Sequence, residues 1–442
     1  MSAEETTAAR VEEGPKWRQY LRAIGPGLIT GAADDDPSGI ATYAQAGAQF
    51  GQSFLFVAPL TFPLMAAVQE ICDRTALATG TGLGELTTDR FHRFGRLIVG
   101  LLFVVLIIAN TLNISADLVA IGSGMHLLRA GPPWVWALVA GAAITALLVR
   151  GTFARITALF KVLASALVVY LVVAVLVTHD WSRILISTVV PHIAMNKSSL
   201  ALLVAILGTT FSPYIFFWQN ADRLEEMRDD PEGGSQPTPL KMRSRARAQK
   251  KERMSRLDVF SGMAFSNIIM FAIILTTAQT LHVHHVTNIA SAAQAAQSLR
   301  PLAGPLASVV FALGFVGSGL LAVPVLAASG SVGLSGLLGK EWGFSRSVRK
   351  APLFYALVAL GTLGGTALSL LNVNPIRLLV LVAVIDGVIA APLLVVVMLV
   401  ASSRRIMGEY VNGRVANSLG WLTVAIMASA TVALFASGGI SL

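Results

Sequence analysis

The sequence predicts an all-α integral membrane protein of about eleven spans, and three observations carry that expectation. Of 442 residues, 55% are apolar and only 13% charged, against about 25% charged residues in an average soluble domain. Windows of about 20 apolar residues, long enough to cross a hydrocarbon core of roughly 30 Å, lie near 21–44, 53–72, 97–121, 133–149, 157–178, 199–222, 258–280, 304–328, 352–371, 376–400 and 419–438. The basic residues sort to one side of these windows. With the N-terminus in the cytoplasm, all 33 Lys and Arg fall in cytoplasmic segments except Arg129, Arg183, Lys197, Arg300 and Arg377, as the positive-inside rule asks. The C-terminus is then external, and the expected location is the cytoplasmic membrane.

Residues 1–20 are acidic and then basic, with no apolar core before Ile24, so they read as a cytoplasmic tail and not as a cleavable signal. Residues 21–442 read as one transmembrane domain without a second soluble domain. The single cysteine, Cys72, excludes a disulfide framework and a thiolate metal cluster, and reads as a small buried hydrophobe. The net charge of +9 is concentrated in KMRSRARAQKKERMSR, Lys241 to Arg256. Lying just before a span, this stretch reads as part of a flexible basic cytoplasmic loop, 226–256, that faces anionic membrane lipid; nucleic-acid binding is the weaker reading. DDPEGGSQPTP, Asp229 to Pro239, has the composition of a flexible linker.

The first span contains ITGAADDDPSGIAT, with Asp34, Asp35 and Asp36 in a row. A charge at the centre of a membrane helix costs about 2.5–3.5 kcal/mol on insertion scales, so acids there face protein, water or a cation. Pro37 removes a backbone donor and Gly39 relaxes the chain, so the helix is expected to break and expose carbonyls beside Asp36. The competing reading is a polar loop between two interfacial helices, with the acids in water. In the sixth span, ILGTTFSPYIFFWQNAD places Gly208, Thr209, Thr210, Ser212 and Pro213 amid apolar sequence. A proline kink alone is usually structural. Two interrupted spans five apart, however, hold equivalent positions in two five-helix halves of opposite topology, repeat one at about 21–178 and repeat two at about 199–400, with 419–438 as an extra helix. That is the pattern of an inverted-repeat secondary transporter with its site near the midplane.

GPGLITGAADDDPSG followed by GTTFSPY resembles the Nramp family of divalent metal transporters, whose first helix carries an Asp-Pro-Gly-Asn break and whose sixth carries a Met-Pro-His break. The resemblance implies a LeuT-like 5+5 inverted repeat and matches the family's Asp to Asp36 and its Pro to Pro37. The family's Asn corresponds to Gly39, its Met to Ser212 and its His to Tyr214. These departures resemble a divergent Nramp-related branch that includes magnesium transporters. Ligand chemistry points the same way, since a thioether favours softer metals, whereas carboxylate, hydroxyl and carbonyl oxygens suit Mg²⁺ and Mn²⁺.

The expected metal ligands are Asp36, Thr209, Ser212 and Asp386, the last being an acid in the tenth span where the family carries an amide near the metal. Pro37, Gly39, Gly208 and Pro213 are expected to shape the breaks and expose carbonyls, with Asp34 and Asp35 on the cation's approach. The resemblance places a proton route in the third span, where Asp117 is the acid present. Tyr214, with an ordinary pKa near 10, is a poor shuttle in place of His, so proton coupling is in doubt. Asn110, Asn113, Asn372 and Asn374 read as making helix-to-helix or cap hydrogen bonds, and the cluster HVHH, His282 to His285, as incidental. No cofactor is expected beyond the transported cation. An enzyme is excluded by the lack of HExxH, GxSxG or P-loop patterns. The rival reading is a LeuT-like amino acid or organic solute transporter, against which three adjacent acids argue.

Overall fold

Proline sets where helices begin. Among the described residues, six helices start on one, at the first helical position, where the missing N–H has no partner to lose. The computed structural model describes residues 25–150, 165–178, 180–191, 196–229, 236–289, 291–296, 304, 307–371 and 374–438. The expected tail 1–20, the start of the fifth window, Asn372 and most of the linker lie outside the described residues. The principal helices are α1 (Pro26–Asp34), α2 (Pro37–Phe50), α3 (Val57–Thr79), α4 (Leu83–Arg90), α5 (Arg93–Leu127), α6 (Pro133–Arg150), α7 (Val168–Val177), α8 (Trp181–Val189), α9 (Lys197–Thr210), α10 (Pro213–Asp229), α11 (Arg245–Thr280), α12 (Ala307–Leu337), α13 (Pro352–Leu368), α14 (Pro375–Ala401) and α15 (Arg414–Ala436). Among the described residues there is no strand.

Among the described residues, seven segments are able by length and composition to cross a membrane, or up to nine if each of two bent pairs counts once; Pro133–Val149 is a shorter apolar helix. The eleven sequence windows exceed these figures at two places. The first window is split into helices of 9 and 14 residues, each too short alone, and the fifth is described only from residue 165. From α2 the chain turns through 111° into α3.

Two groups of helices share the core. In one, α11 packs on α1, α2 and α3, and α10 packs on α3; in the other, α5 packs on α6, α12 and α13. Between them, α14 lies against α9, α5 and α2. The α1–α11 contact is backbone on backbone. A Cβ at Gly27 would lie 2.5 Å from the Asp258 carbonyl carbon, and one at Gly262 would overlap the Gly27 carbonyl.

The loop expected over 226–256 is helical at both ends. The helix α10 runs to Asp229, and α11 starts at Arg245, a 36-residue helix. Ala, Arg, Lys, Gln, Glu and Met are good helix formers. An i,i+4 ion pair, Glu252 with Arg256 at 2.8 Å, and a tether from Lys251 to Glu226 on α10 at 2.6 Å hold the extension in place.

Candidate functional site

The first helix breaks at Asp35 and Asp36. Asp35, with φ −87° and ψ 52°, ends α1, and Asp36 is the N-cap of α2. Its Oδ1 accepts from the Gly39 N–H at 2.7 Å and the Ser38 hydroxyl at 2.6 Å, so a carboxylate satisfies the free donors at a helix start. The second break is built alike. Phe211, with φ −110° and ψ 41°, ends α9, and Pro213 opens α10.

Each proline leaves the carbonyl four residues before it without its helical donor. At the second break the Ser212 hydroxyl takes up that carbonyl, donating to Thr209 O at 2.7 Å, with Gly208 O at 2.9 Å. At the first break the orphan is Ala33 O, and the donor comes from the other half: Tyr214 Oη lies 3.0 Å from Ala33 O and 3.3 Å from Asp36 Oδ2. Tyr43 Oη is 3.4 Å from Thr210 Oγ1, and a Cβ at Gly39 would lie 3.0 Å from Thr209 Oγ1. The two breaks therefore face one another, as the pairing of spans one and six predicts. Gly39 is the third residue of α2 and Gly208 lies two residues before the end of α9, so both stand within a turn of the breaks.

Gly208 also lets α14 approach. A Cβ there would overlap the Ala383 carbonyl, and one at Gly387 would lie 2.7 Å from Val204 O. That contact carries the neighbouring Asp386 to the second break. Gly208→Ala is expected to cost about 1–3 kcal/mol by overpacking and to lower both the thermal midpoint in detergent and the uptake rate; an unchanged melting curve would show that the contact is slack.

Asp386 is buried, and its Oδ2 accepts from Asn113 Nδ2 of α5 at 2.9 Å. Asn110 donates to Leu326 O and Ser329 on α12, and Asn374 caps α14, so three of the four asparagines act as read. Asp117 sits one turn after Asn113 on α5. Among the described residues, both Asp117 oxygens, Asp386 Oδ1, Asn113 Oδ1 and Thr209 Oγ1 are buried without a hydrogen-bond partner. Buried acceptors without donors are costly, and a cation is one species that would satisfy them.

Asp34 and Asp35 share a partner on α11. Ser266 Oγ of α11 lies 2.8 Å from Asp34 Oδ2 and 3.3 Å from Asp35 Oδ1. A further neighbour had no signal in the sequence: Met270 Sδ, 3.8 Å from Thr210 Oγ1. Among the described residues, no three His, Cys, Asp or Glu side chains gather closely enough to hold a metal by themselves. A cation bound here would need carbonyl and hydroxyl oxygens beside carboxylates. His282 bonds to the Ala48 carbonyl at 2.9 Å.

The two ends of the site differ. Beyond the ends of α2, α9 and α14 lies a cavity of about 330 Å³ lined by Gln45, Gln49, Ser198, Asn288 and Arg377 among others. At the opposite end, Asp258 of α11 accepts the N–H groups of Gly25 and Gly27 at 2.8 and 2.9 Å, capping α1. Arg223 of α10 bridges Asp258 at 2.9 Å and Asp73 of α3 at 2.6 Å. Gln219 and Ser255 also donate to Asp73. This buried clamp ties four helices together.

A family model described as natural resistance-associated macrophage protein-like (Nramp) matches residues 27–437. The chain belongs to the Nramp family. Among Nramp relatives, the divalent metal cation transporter MntH of Deinococcus radiodurans is 27% identical over 424 residues, 94% of this chain and 89% of that protein. MntH of Verminephrobacter eiseniae is 28% identical over 408 residues, covering 89% and 84%. The fold matches that of a crystallised manganese transporter from Eremococcus coleocola with a TM-score of 0.73, at 17% identity and covering 97% of this chain and 89% of that one. It also matches Mhp1, a nucleobase-cation-symport-1 family transporter in a closed conformation, at 0.56 and 14% identity, covering 94% and 92%. The Nramp chain thus has the expected LeuT-like, all-helical fold, and it is a multi-pass membrane transporter and not an enzyme.

Proposed function

We propose that the chain carries a hard divalent cation, Mg²⁺ or Mn²⁺, into the cell by alternating access, with the N-terminus in the cytoplasm, the C-terminus outside and the cytoplasmic membrane as its location. The observation that carries this reading is the meeting of two half-helix C-termini, α1 and α9, beside the buried carboxylate of Asp36. Helix C-termini present carbonyls and partial negative charge. Asp36, Asp386 and the hydroxyls of Thr209 and Ser212 are the ligands proposed. Ser212 donates its hydrogen to carbonyls and keeps oxygen lone pairs for a cation. The ion reaches the site from the 330 Å³ cavity, and release requires the Arg223 clamp to open.

Uptake needs no proton partner to run downhill, because each elementary charge gains about 2.3 kcal/mol per 100 mV of inside-negative potential. The test is proteoliposome uptake of Mg²⁺ and Mn²⁺ with internal pH followed. Entry of either ion without acidification supports an uncoupled hard-cation carrier. Mn²⁺-selective entry with acidification would assign coupling to the chain and overturn that part of the reading. No uptake of either ion would overturn the function.

Ligand softness predicts a second result. Ser212→Met is expected to shift preference toward Mn²⁺ and Cd²⁺ over Mg²⁺ by about tenfold, the equivalent of about 1.4 kcal/mol. Competition uptake measures it, and unchanged selectivity would mean that residue 212 does not contact the ion.

A further inference from the structure

The extension of α11 carries one exposed stripe from apolar to basic. Ile268, Phe260, Leu257, Arg253, Lys250 and Ala246 are all exposed. From Ala246 to Phe260 they follow at the three- and four-residue steps that share a helix face, and Ile268 lies eight residues further along the same face. The opposite face is the buried one, holding Asp258, Ser255 and Ala248. Exposed Ile, Phe and Leu on a span face lipid tails, so the hydrocarbon boundary falls just beyond Leu257. At a rise of about 1.5 Å per residue, Arg253 lies about 6 Å and Lys250 about 10 Å past it, the depth of the headgroup layer.

Their neighbours on the helix are paired, Lys251 with Glu226 and Arg256 with Glu70 and Glu252. Lys250 and Arg253 form no ion pair or side-chain hydrogen bond with the described residues, and their exposure puts both charges into the headgroup layer. Phosphate is what two unpaired cations at that depth meet.

We propose that Lys250 and Arg253 form a docking surface for anionic phospholipid headgroups, which the tails against Leu257 and Phe260 hold in register. The surface lies on the far side of α11 from the clamp at Asp258, so a bound lipid steadies the helix that holds α1.

The full chain carrying Ala246→Cys, on the same stripe, takes a polarity-sensitive dye specifically, because the one native cysteine, Cys72, is buried. In neutral detergent it is titrated with short-chain phosphatidylglycerol, with phosphatidylcholine of equal chain length, and with inorganic phosphate. Phosphatidylglycerol is expected to shift the emission at a concentration at least fivefold below the other two. Lys250→Gln with Arg253→Gln is expected to weaken its binding about 25-fold, or fivefold per residue, the equivalent of about 1 kcal/mol for each basic group at an anionic surface. Gel-filtration elution and uptake of this exposed double variant report whether it is folded. Equal response to phosphatidylcholine would reduce the surface to a tail contact. Equal response to phosphate would make it a free-anion site. Unchanged binding by the double variant would move the headgroup elsewhere. Each of these overturns the proposal.

Discussion

Replacing Asp36 with Asn is expected to abolish metal uptake while leaving the protein folded. The side chain has two separable tasks. As the N-cap of α2 it accepts the Gly39 N–H at 2.7 Å, and Asn caps a helix about as well as Asp. As the carboxylate at the meeting of the breaks it supplies charge, which an amide does not. Losing a charged ligand costs about 3 kcal/mol, or ~100-fold in affinity. The variant should therefore melt within a few degrees of the parent and take up neither Mg²⁺ nor Mn²⁺. Asp36→Ala, by contrast, loses both tasks and should also melt lower, by about 1 kcal/mol of capping energy. Uptake by Asp36→Asn at the parental rate would sink the assignment of Asp36 as the ligand.

Much of this site was legible in the sequence, because Pro37 and Pro213 each follow polar residues amid apolar sequence; proline alone is no guide, since Pro63, Pro324 and Pro392 lie inside continuous helices. Pro37 and Pro213 located the two breaks to within a few residues, and their spacing by spans implied that they pair. The direction of adjacent side chains was not legible. Asp34, Asp35 and Asp36 form one run in the sequence, yet the first two meet Ser266 on α11 and the third meets Tyr214 on α10. Successive residues point about 100° apart on a helix, and a break adds an angle that no local pattern encodes. Tyr214 shows the same limit. Its chemistry marked it as a poor shuttle, whereas its position shows it donating to the carbonyl that Pro37 leaves open. The extension of α11 was misread for a different reason: a high charge density suggested a solvated loop, but the same residues are strong helix formers once a buried face and ion pairs hold them.

Arg223→Ala is expected to be the most destabilising single change, and it also tests how the site opens. The guanidinium lies within 2.6 and 2.9 Å of Asp73 and Asp258, with all three side chains at most 4% exposed. Removing one partner of a buried ion pair costs about 3–5 kcal/mol, because the remaining charges lose their counter-charge but not their burial. A drop in thermal midpoint of many degrees in detergent should follow. The functional consequence is separate. Asp258 holds the start of α1 through the Gly25 and Gly27 N–H groups, and those bonds exist only while α1 is docked. Weakening the clamp shifts the population toward an undocked α1. In a Cys72→Ala background, a cysteine at buried Thr30 should then react faster with a thiol reagent added from the clamp side. Faster labelling at a temperature where the variant is still folded separates opening from unfolding. If labelling and melting both matched the parent, the clamp would not be what holds α1 closed, and release from the site would have to be controlled by another contact.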